Sequence, residues 1–442
     1  MEYFFVIIDA FVVLLVGRLL ATNGYDNTLL SAIHQAKNLI VGLKFYQTEY
    51  FYMQIKDLFL LDADVVYLNH GSFGATPRPV FEVYQDWQNK LERQPVLFLA
   101  RELQGYLKYA RESLGAYLNA VPDDLVCIPN ATTGVNIIAR SLNLRPGDEI
   151  LTTDHEYGAC ERAWKFICRK TGASLIKQKI SLPVRDEQEI IAQLWQGITD
   201  RTRLIFISHI TSPTALTFPV GKICAQARQA GILTLVDGAH APGQISVNLL
   251  AIGADFYAGN CHKWMMAPKG SAFLFARPER QKFVEPLVVS WGWEAESTFT
   301  TGSQFIDYLQ TWGTWDPAAI LSVPAAIQFQ IDYRWDEIKR DCHEMVCGVV
   351  DQMAEITGME SIYPKTNSFY HQMAALPLPV DVDAFHFKDY LYNRERIEIP
   401  CYLWEGRPYV RISVQGYNTK QDIDNFLNAV KRYLTLVRDN II

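Results

Sequence analysis

The feature that most constrains this chain is a regular alternation of short apolar runs with helical patterns between about residues 65 and 275. Apolar runs that are separated by helices are typical of a mostly parallel β-sheet covered by helices on both faces. Strands are predicted at 125–128, 149–152, 203–207, 232–236, 256–258 and 272–275, and helices at 135–142 and 222–230. The second helix should end at Gly231, because glycine readily adopts the left-handed conformation that follows a helix. The predicted fold class is therefore α/β.

The pattern changes after about residue 324. Helices are predicted at 327–338, 385–394 and 421–435, and shorter strands alternate with them, which indicates a smaller α+β domain. A chain of 442 residues is also too long for one typical domain. We expect an N-terminal extension (1–55), a large α/β domain (56–325) and a small C-terminal domain (326–442).

Residues 3–20 are almost entirely apolar, interrupted by Asp9 and Arg18. This run is at the lower length limit for a membrane-spanning helix, and Asp9 near its centre would cost about 2.5–3.5 kcal/mol on insertion. Three interpretations are open: a membrane anchor, a helix that docks on the protein or a partner, or a stretch upstream of a natural start at Met53. The third is favoured, because every interpretable pattern begins after Met53.

Charge and cysteine content exclude several classes of function. Lys and Arg number 41 against 48 Asp and Glu, so a net charge of −7 gives no general attraction to nucleic acids. The eight cysteines are irregularly spaced and form no C-x-x-C pair. We therefore expect free thiols in a reducing compartment and a cytoplasmic location, rather than disulfides or a zinc site. No metal is expected.

Four polar clusters follow predicted strands, at the sheet edge where parallel α/β proteins bind ligands. The first is Asn130-Ala131-Thr132-Thr133-Gly134. The hydroxyls of Thr132 and Thr133, together with the N–H groups at the start of the next helix, can hold a phosphate group. An ordinary helix N-cap is an equally good interpretation of this segment.

His155 and Asp237 follow two further strands. An imidazole at His155 can stack on a flat heteroaromatic ring, although a lone histidine is more often a hydrogen-bonded structural residue. Asp237 ends a buried apolar strand, where a carboxylate is costly unless it is paired. A protonated ring nitrogen is one suitable partner, and a helix cap or a structural ion pair is the alternative.

Lys263 lies in a loop between two apolar strands with few acidic residues nearby. A desolvated lysine loses its proton more easily and becomes a nucleophile that can react with an aldehyde. Taken alone, it could equally be an ordinary lysine of a surface loop. Asp237 and Lys263 follow consecutive strands, so both are expected at the same edge of the sheet.

The order of these clusters resembles the class V aminotransferase superfamily of fold-type I pyridoxal-phosphate enzymes, over about residues 67–424. The most specific motifs are Asp237-Gly238-Ala239-His240 and His262-Lys263. The resemblance implies that pyridoxal 5′-phosphate is the cofactor, that Lys263 binds it covalently and that Asp237 pairs with its ring nitrogen. The other cofactor contacts that it implies are stacking by His155, a hydrogen bond from His240, and phosphate contacts by Thr132, Thr133 and His262.

The resemblance also implies substrate and partner contacts. Arg411, in Val410-Arg411-Ile412-Ser413, matches the arginine that binds the substrate α-carboxylate, a task that suits the two parallel donors of a guanidinium. Gly313-Thr314 resembles a segment in which Thr314 reaches the phosphate bound by the partner subunit. A homodimer with shared active sites is therefore expected.

Within the superfamily, Asn69-His70-Gly71-Ser72-Phe73-Gly74 is most similar to the isopenicillin N epimerase-like group, as are segments 208–214 and 290–293. Asn69 is accordingly expected to contact substrate. The implied reaction inverts the α-carbon of an amino-acid side arm. Lys263 would remove the α-proton, and His155 or a tyrosine would return one on the opposite face.

Other activities of the superfamily remain open: cysteine desulfuration, β-elimination from sulfur amino acids, and transamination. A desulfurase needs a mobile cysteine shortly before the carboxylate-binding arginine, whereas Cys401 lies several positions too early and is expected to be a packing residue. Cys261 is expected to point away from the site. A C–S lyase needs no cysteine of its own. A non-catalytic binding protein is disfavoured, because Lys263 and Asp237 are both present.

Overall fold

The computed structural model describes residues 55–295, 300–364, 366, 368–439 and 441. Contacts divide the chain into two units, Met1–Asp57 and Leu58–Ile442. The apolar run at 3–20 and Met53, on which the three N-terminal interpretations depend, lie outside the described residues.

The strands are numbered along the described chain. They are β1 (Val66–Tyr67), β2 (Leu125–Ile128), β3 (Glu149–Thr153), β4 (Ser174–Gln178), β5 (Thr202–Ser208), β6 (Leu233–Gly238), β7 (Phe256–Asn260), β8 (Ala272–Ala276), β9 (Met373–Pro377), β10 (Ile397–Glu398), β11 (Cys401–Trp404) and β12 (Arg407–Ser413). A seven-stranded sheet has the order β2-β8-β7-β6-β5-β3-β4. In this sheet β8 runs in the opposite direction to the other six strands, so the prediction of a mostly parallel sheet is confirmed.

All six predicted strands are present, with bounds that differ by at most two residues. The additional strand β4 was not predicted. It lies at the edge of the sheet, and its sequence Ser-Leu-Ile-Lys-Gln leaves its side chains exposed or half-buried. An edge strand with one solvated face needs no continuous apolar run, and therefore lacks the pattern that revealed the central strands.

The helices have the following bounds: His70–Phe73, Arg78–Arg93, Pro95–Leu97, Leu103–Leu118, Ala131–Ser141, Gly158–Thr171, Glu187–Trp195, Val220–Gln229, Leu249–Ile252, Pro278–Gln281, Gln304–Gln310, Ala318–Leu321, Val323–Asp332, Trp335–Thr357, Ala384–Glu395 and Lys420–Arg438. A π-helical turn spans Phe98–Glu102, and a 3₁₀ turn spans Pro122–Asp124. Gly231 follows Val220–Gln229 with a φ of +72°, as predicted. Its N–H donates to the carbonyl of Arg228, which closes the end of the helix.

The prediction of one helix at 327–338 is wrong. Two helices, Val323–Asp332 and Trp335–Thr357, meet at Arg334, which has a left-handed φ of 51°. The turn buries Trp335 against Phe329, with ring centroids 5.3 Å apart. No glycine or proline marks this break, so the apolar periodicity runs through it in the sequence.

The C-terminal region forms a smaller α+β arrangement around an antiparallel sheet of order β11-β12-β9, which confirms the predicted fold class. β1, near the start of the described chain, pairs in parallel with β10. Asn69, just after β1, also bridges to Ser413 at the end of β12. The expected domain boundary at 325 and 326 stays a prediction, because the contacts group Leu58–Ile442 as one unit.

A search of the described helices for candidate membrane spans finds none with the necessary length and apolar character.

Candidate active site

A cleft with about 760 Å³ of empty space lies where β5, β6 and β7 end. Its lining comes from these strand ends, from the start of helix Ala131–Ser141 and from the N-terminal motif. The residues that line it are Ser72, Phe73, Asn130, Ala131, Thr132, Tyr157, Ser208, Ile210, Ser212, Asp237, Ala239, His240, Asn260, His262 and Lys263. Five of the residues predicted from the sequence are thereby brought together: Thr132, Asp237, His240, His262 and Lys263.

Lys263 lies in the loop that follows β7, and its Nζ is 3.2 Å from Nε2 of His240. Burial lowers the pKa of Lys263 to about 8, and the positive charge of Arg411 acts in the same direction. The negative charge of Asp237 partly opposes this shift. The fraction of this amine that is neutral near physiological pH is therefore much larger than for an ordinary lysine, and the neutral amine is the form that acts as a nucleophile.

Asp237 ends β6 and is almost completely buried. Its Oδ1 accepts a hydrogen bond from the N–H of Ala239 at 2.9 Å, and its Oδ2 accepts one from the thiol of Cys160 at 3.4 Å. Burial raises the pKa of Asp237. A cationic group in the cleft would stabilise the carboxylate by supplying the opposite charge.

The segment before helix Ala131–Ser141 forms a helix N-cap that borders the cleft. Oδ1 of Asn130 accepts hydrogen bonds from the N–H of Thr133 at 2.9 Å and from its hydroxyl at 3.1 Å. The N–H of Ala131 donates to Oδ1 of Asn260 at 2.8 Å. Thr132 lines the cleft, whereas the hydroxyl of Thr133 is committed to the cap. Of the two hydroxyls expected to hold a phosphate, the one on Thr132 is therefore better placed.

His262 also lines the cleft. Its Nδ1 donates to the carbonyl oxygen of Ser271 at 3.0 Å, and burial lowers the pKa of the ring to about 4. The neutral ring therefore has an acceptor at Nε2. An anion beside this ring would favour uptake of a proton at Nε2.

The expected stacking role of His155 stays a prediction. The ring is 0% exposed and is not among the residues that line the cleft. Its Nδ1 accepts a hydrogen bond from the hydroxyl of Thr214 at 2.7 Å, and its Nε2 donates to the carbonyl of Ile180 at 2.9 Å. Tyr157, two residues later, lines the cleft and is 47% exposed.

Arg411 lies on β12 behind the cleft wall and is only 6% exposed. Its Nη1 donates to the carbonyl oxygen and hydroxyl of Ser212, and its Nη2 donates to the Ser72 hydroxyl at 3.3 Å. Its Nε is buried and meets no hydrogen-bond acceptor in the described part of the chain. Because Ser72 and Ser212 both line the cleft, this cation borders it.

Asn69 does not line the cleft, and its expected contact with substrate stays a prediction. Its Oδ1 accepts a hydrogen bond from the Ser72 hydroxyl at 2.5 Å, and its Nδ2 donates to Glu398 at 2.9 Å. Both polar ends of the side chain are thus occupied. The residues of this motif that line the cleft are Ser72, which Asn69 orients, and Phe73.

Thr314 is exposed and does not line the cleft of its own chain. Its expected contact with a partner subunit stays a prediction.

Sequence reasoning missed Glu156, which is buried beside the cleft. Its carboxyl group accepts hydrogen bonds from the hydroxyls of Ser208 at 2.6 Å and Thr153 at 2.7 Å. Burial raises the pKa of Glu156 to about 8, and the nearby negative charge of Asp237 acts in the same direction. The sequence held one indication of this residue. Glu156 lies in the polar segment Thr153-Asp154-His155-Glu156-Tyr157, which follows a buried strand.

The two cysteines considered from the sequence, Cys401 and Cys261, do not line the cleft, and neither does Cys160, whose thiol donates to Asp237. Cys401 is buried on β11, and Cys261 is completely buried after β7. Burial raises the pKa of both thiols. These positions agree with the expectations that Cys401 is a packing residue and that Cys261 points away from the site.

The sequence model of the family described as Aminotransferase class-V matches residues 67–426. Isopenicillin N epimerase of Amycolatopsis lactamdurans is 33% identical over 383 residues, covering 84% of this chain and 96% of that protein. The enzyme of the same name from Streptomyces clavuligerus is 35% identical over 380 residues, covering 84% and 95%. A probable L-cysteine desulfhydrase, chloroplastic, of Arabidopsis thaliana is 30% identical over 413 residues, covering 86% and 84%.

Solved structures show the same fold. The cysteine desulfurase CsdA from Escherichia coli superimposes with a TM-score of 0.73 at 23% identity, covering 87% of this chain and 98% of that one. A C-DES variant with glycine covalently linked to its PLP cofactor has a TM-score of 0.72 at 19% identity, covering 84% and 97%. The family match over most of the chain, with the relatives above 30% identity, confirms the resemblance found in the sequence: the chain belongs to the class V aminotransferase family.

Proposed function

We propose that this protein is a pyridoxal-phosphate enzyme that inverts the α-carbon of an amino-acid group, as in isopenicillin N epimerases. One observation carries the proposal: the buried guanidinium of Arg411 borders the cleft that also contains Lys263 and Asp237. A buried cation is costly unless an anion pairs with it. A substrate α-carboxylate is such an anion, and its arrival would place the α-carbon near the amine of Lys263.

The cleft residues fit pyridoxal phosphate as the cofactor. Lys263 offers an amine with a pKa of about 8, and Asp237 offers a buried carboxylate for a ring nitrogen. Thr132, the start of helix Ala131–Ser141 and His262 offer groups for a phosphate. When bound, pyridoxal phosphate supplies an electron sink that allows a bond at the α-carbon to break.

The order of the sheet supports a reaction on two faces of the substrate. Lys263 follows β7 and Tyr157 follows β3, and the ends of β6 and β5 lie between them in the sheet. The two residues therefore follow strands that lie on opposite sides of β6, which carries Asp237. Nζ of Lys263 removes the α-proton from one face, and the phenol of Tyr157 supplies a proton to the other. Tyr157 thus takes the role that the sequence left open between His155 and a tyrosine.

A cysteine desulfurase that uses its own mobile thiol is less well supported. Cys401 and Cys261 are buried outside the cleft, and burial raises the pKa of each thiol. A buried thiol with a raised pKa is a poor sulfur acceptor, because the thiolate is the reactive form.

β-Elimination from a sulfur amino acid is the second candidate. It is favoured by the 30% identity to the probable L-cysteine desulfhydrase, and it requires no enzyme thiol. Lys263, Asp237 and Arg411 would keep the same roles. The two candidates differ in whether a proton returns to the α-carbon or a thiol leaves from the β-carbon.

The proposal includes a homodimer, with Thr314 reaching the phosphate site of the partner subunit, and a cytoplasmic location. The exposed position of Thr314 and the eight free cysteines support these two expectations.

The test is proton NMR of the full-length holoenzyme in D₂O, with L-amino acids, sulfur amino acids and isopenicillin N as substrates. Loss of the α-proton signal from an otherwise intact substrate, together with its mirror-image centre in chiral chromatography, would support epimerisation. Release of pyruvate and sulfide would instead support β-elimination. Formation of alanine from cysteine would contradict the argument from the buried cysteines.

A further inference from the structure

Three side chains form a line of hydrogen bonds that ends at the proposed reactive amine. Nε1 of Trp264 donates to Nδ1 of His240 at 3.3 Å. Nε2 of His240 then lies 3.2 Å from Nζ of Lys263. Trp264 and His240 are both buried, so water does not compete for these groups.

The chemistry of these groups fixes the direction of both hydrogen bonds. An indole N–H can only donate, so Nδ1 of His240 must carry a lone pair. A neutral imidazole with a lone pair at Nδ1 has its proton at Nε2. That N–H can donate to Lys263 only if Nζ also carries a lone pair, as it does in a neutral amine. A protonated Lys263 would place two donors face to face.

We infer that Trp264 is a positioning residue that holds His240 in the Nε2–H form and thereby favours the neutral form of the Lys263 amine. This inference rests on the proposed role of Lys263. Trp264 would act on Lys263 through His240, without touching cofactor or substrate itself. The proton that Lys263 gives up passes to solvent, while His240 keeps its own.

Packing holds the indole of Trp264 in place. The ring of His70 lies against it with centroids 5.0 Å apart, and a Cβ on Gly71 would lie 3.5 Å from Cζ2 of Trp264. Gly243 lies against the backbone of Trp264, where a Cβ would come within 2.3 Å, so the backbone that carries the indole is closely packed as well. The donor therefore cannot turn away from His240 without disturbing these contacts.

Other charges near this line act on Lys263 as well. Arg411 favours the neutral amine, whereas Asp237 and the Cys160 thiol favour the charged form. His240 itself faces Lys263, Arg411, His262 and His70, and burial with these neighbours holds its pKa well below the usual value. His240 is consequently neutral at physiological pH, which the tautomer argument requires.

The test is the pKa of Lys263 in the full-length chain before cofactor is added. Trace acetylation with acetic anhydride, quantified at Lys263 by mass spectrometry across neutral and alkaline pH, reports the fraction of neutral amine. In Trp264→Phe, His240 is free to carry its proton at Nδ1 and to accept at Nε2 from a charged lysine. We expect the acetylation midpoint to rise by about one pH unit, which is about tenfold less neutral amine at neutral pH.

Trp335→Phe is the matched control. Trp335 is also buried, and its indole N–H has no hydrogen-bond partner in the described part of the chain. This variant should leave the Lys263 midpoint unchanged. An unchanged midpoint in folded Trp264→Phe, or an equal rise in both variants, would overturn the inference.

A second measurement needs only the wild-type chain, in case Trp264→Phe does not fold. Nitrogen-15 NMR of histidine-labelled protein, assigned with His240→Asn, distinguishes the two neutral tautomers. An Nε2–H signal for His240 is expected, and an Nδ1–H signal would overturn the inference. Both readouts are independent of turnover. If Lys263→Ala still formed the covalent cofactor adduct, the proposed role of Lys263 would be refuted. The NMR result on the tautomer of His240 would remain valid.

Discussion

Nη2 of Arg411 lies 3.3 Å from Oγ of Ser72, although the two residues are 339 positions apart in the sequence. Arg411 is on β12, and Ser72 is in the short helix that follows β1. This contact joins the two ends of the described chain at one wall of the cleft. It places a cation where the carboxylate of a substrate can reach it.

Arg411→Ala should weaken substrate binding and leave the cofactor in place. A charge-assisted hydrogen bond contributes about 1.5–3 kcal/mol, so KM should rise about 10- to 100-fold. Steady-state kinetics and the visible absorbance of the bound cofactor check the two halves of this prediction. Arg407→Ala, an exposed position on the same strand, is the control and should change neither. An unchanged KM in Arg411→Ala would argue against its role.

Lys263→Ala should abolish the visible absorbance of covalently bound pyridoxal phosphate and all turnover. The reason is the loss of the cleft amine whose pKa is lowered to about 8. The spectrum of the purified holoenzyme measures this directly. Lys269→Ala removes an exposed lysine of the same loop and should retain the wild-type spectrum. Turnover by Lys263→Ala would refute the assignment.

Tyr157→Phe should separate removal of the α-proton from inversion. Lys263 still exchanges the proton on its own face, so the L-substrate should incorporate deuterium from D₂O. The mirror-image product should fall by about 100-fold or more, because general acid catalysis typically contributes about 10²–10⁴-fold. NMR and chiral chromatography of one sample give both values. Tyr109→Phe, an exposed tyrosine that does not line the cleft, is the control. Full inversion by Tyr157→Phe would exclude the phenol as the second acid.

Glu156 should make folding stability depend on pH. Because its pKa rises from 4.5 to about 8 in the folded protein, the folded state holds a proton that the unfolded chain has released. This contribution is fully present below the ordinary Glu pKa and is lost as pH rises through about 8, so stability falls over that window. The loss amounts to a few kcal/mol.

Glu156→Gln cannot ionise and should remove this slope, which makes the variant more stable than wild type at alkaline pH. Urea unfolding at about pH 5 and about pH 8.5 measures the difference. Glu82→Gln, in the exposed part of helix Arg78–Arg93, should leave the slope as it is in wild type. A Glu156→Gln slope equal to that of wild type would contradict the prediction.

The positions of Asp237 and Lys263 could be predicted because each follows a buried apolar strand. Such strands are visible as continuous runs in the sequence, and parallel strands end at one edge of the sheet. The helices of the C-terminal region followed from their periodicity in the same way. The break at Arg334 did not, since it depends on the burial of Trp335, whose ring lies 6.4 Å from that of Phe59, a residue far outside the pattern.

His155 shows why side-chain direction could not be predicted. Its partners, Thr214 and Ile180, are 59 and 25 residues away in the sequence, and only the folded chain brings them to the imidazole. The same loop turns Tyr157 toward the cleft instead. Asn69 is a similar case. Ser72 lines the cleft but Asn69 does not, because the amide of Asn69 donates to Glu398, which lies 329 residues further along the chain.

The pairing of β1 with β10 sets an order of assembly during synthesis. The strands that carry Asp237 and Lys263 are complete once β8 has emerged from the ribosome. The seven-stranded sheet can therefore form, and its amine can meet the cofactor, while β9 to β12 are still being made. The carboxylate-binding wall closes only when β10 reaches β1 and Arg411 reaches Ser72. This wall of the cleft therefore cannot form before β12 has been made.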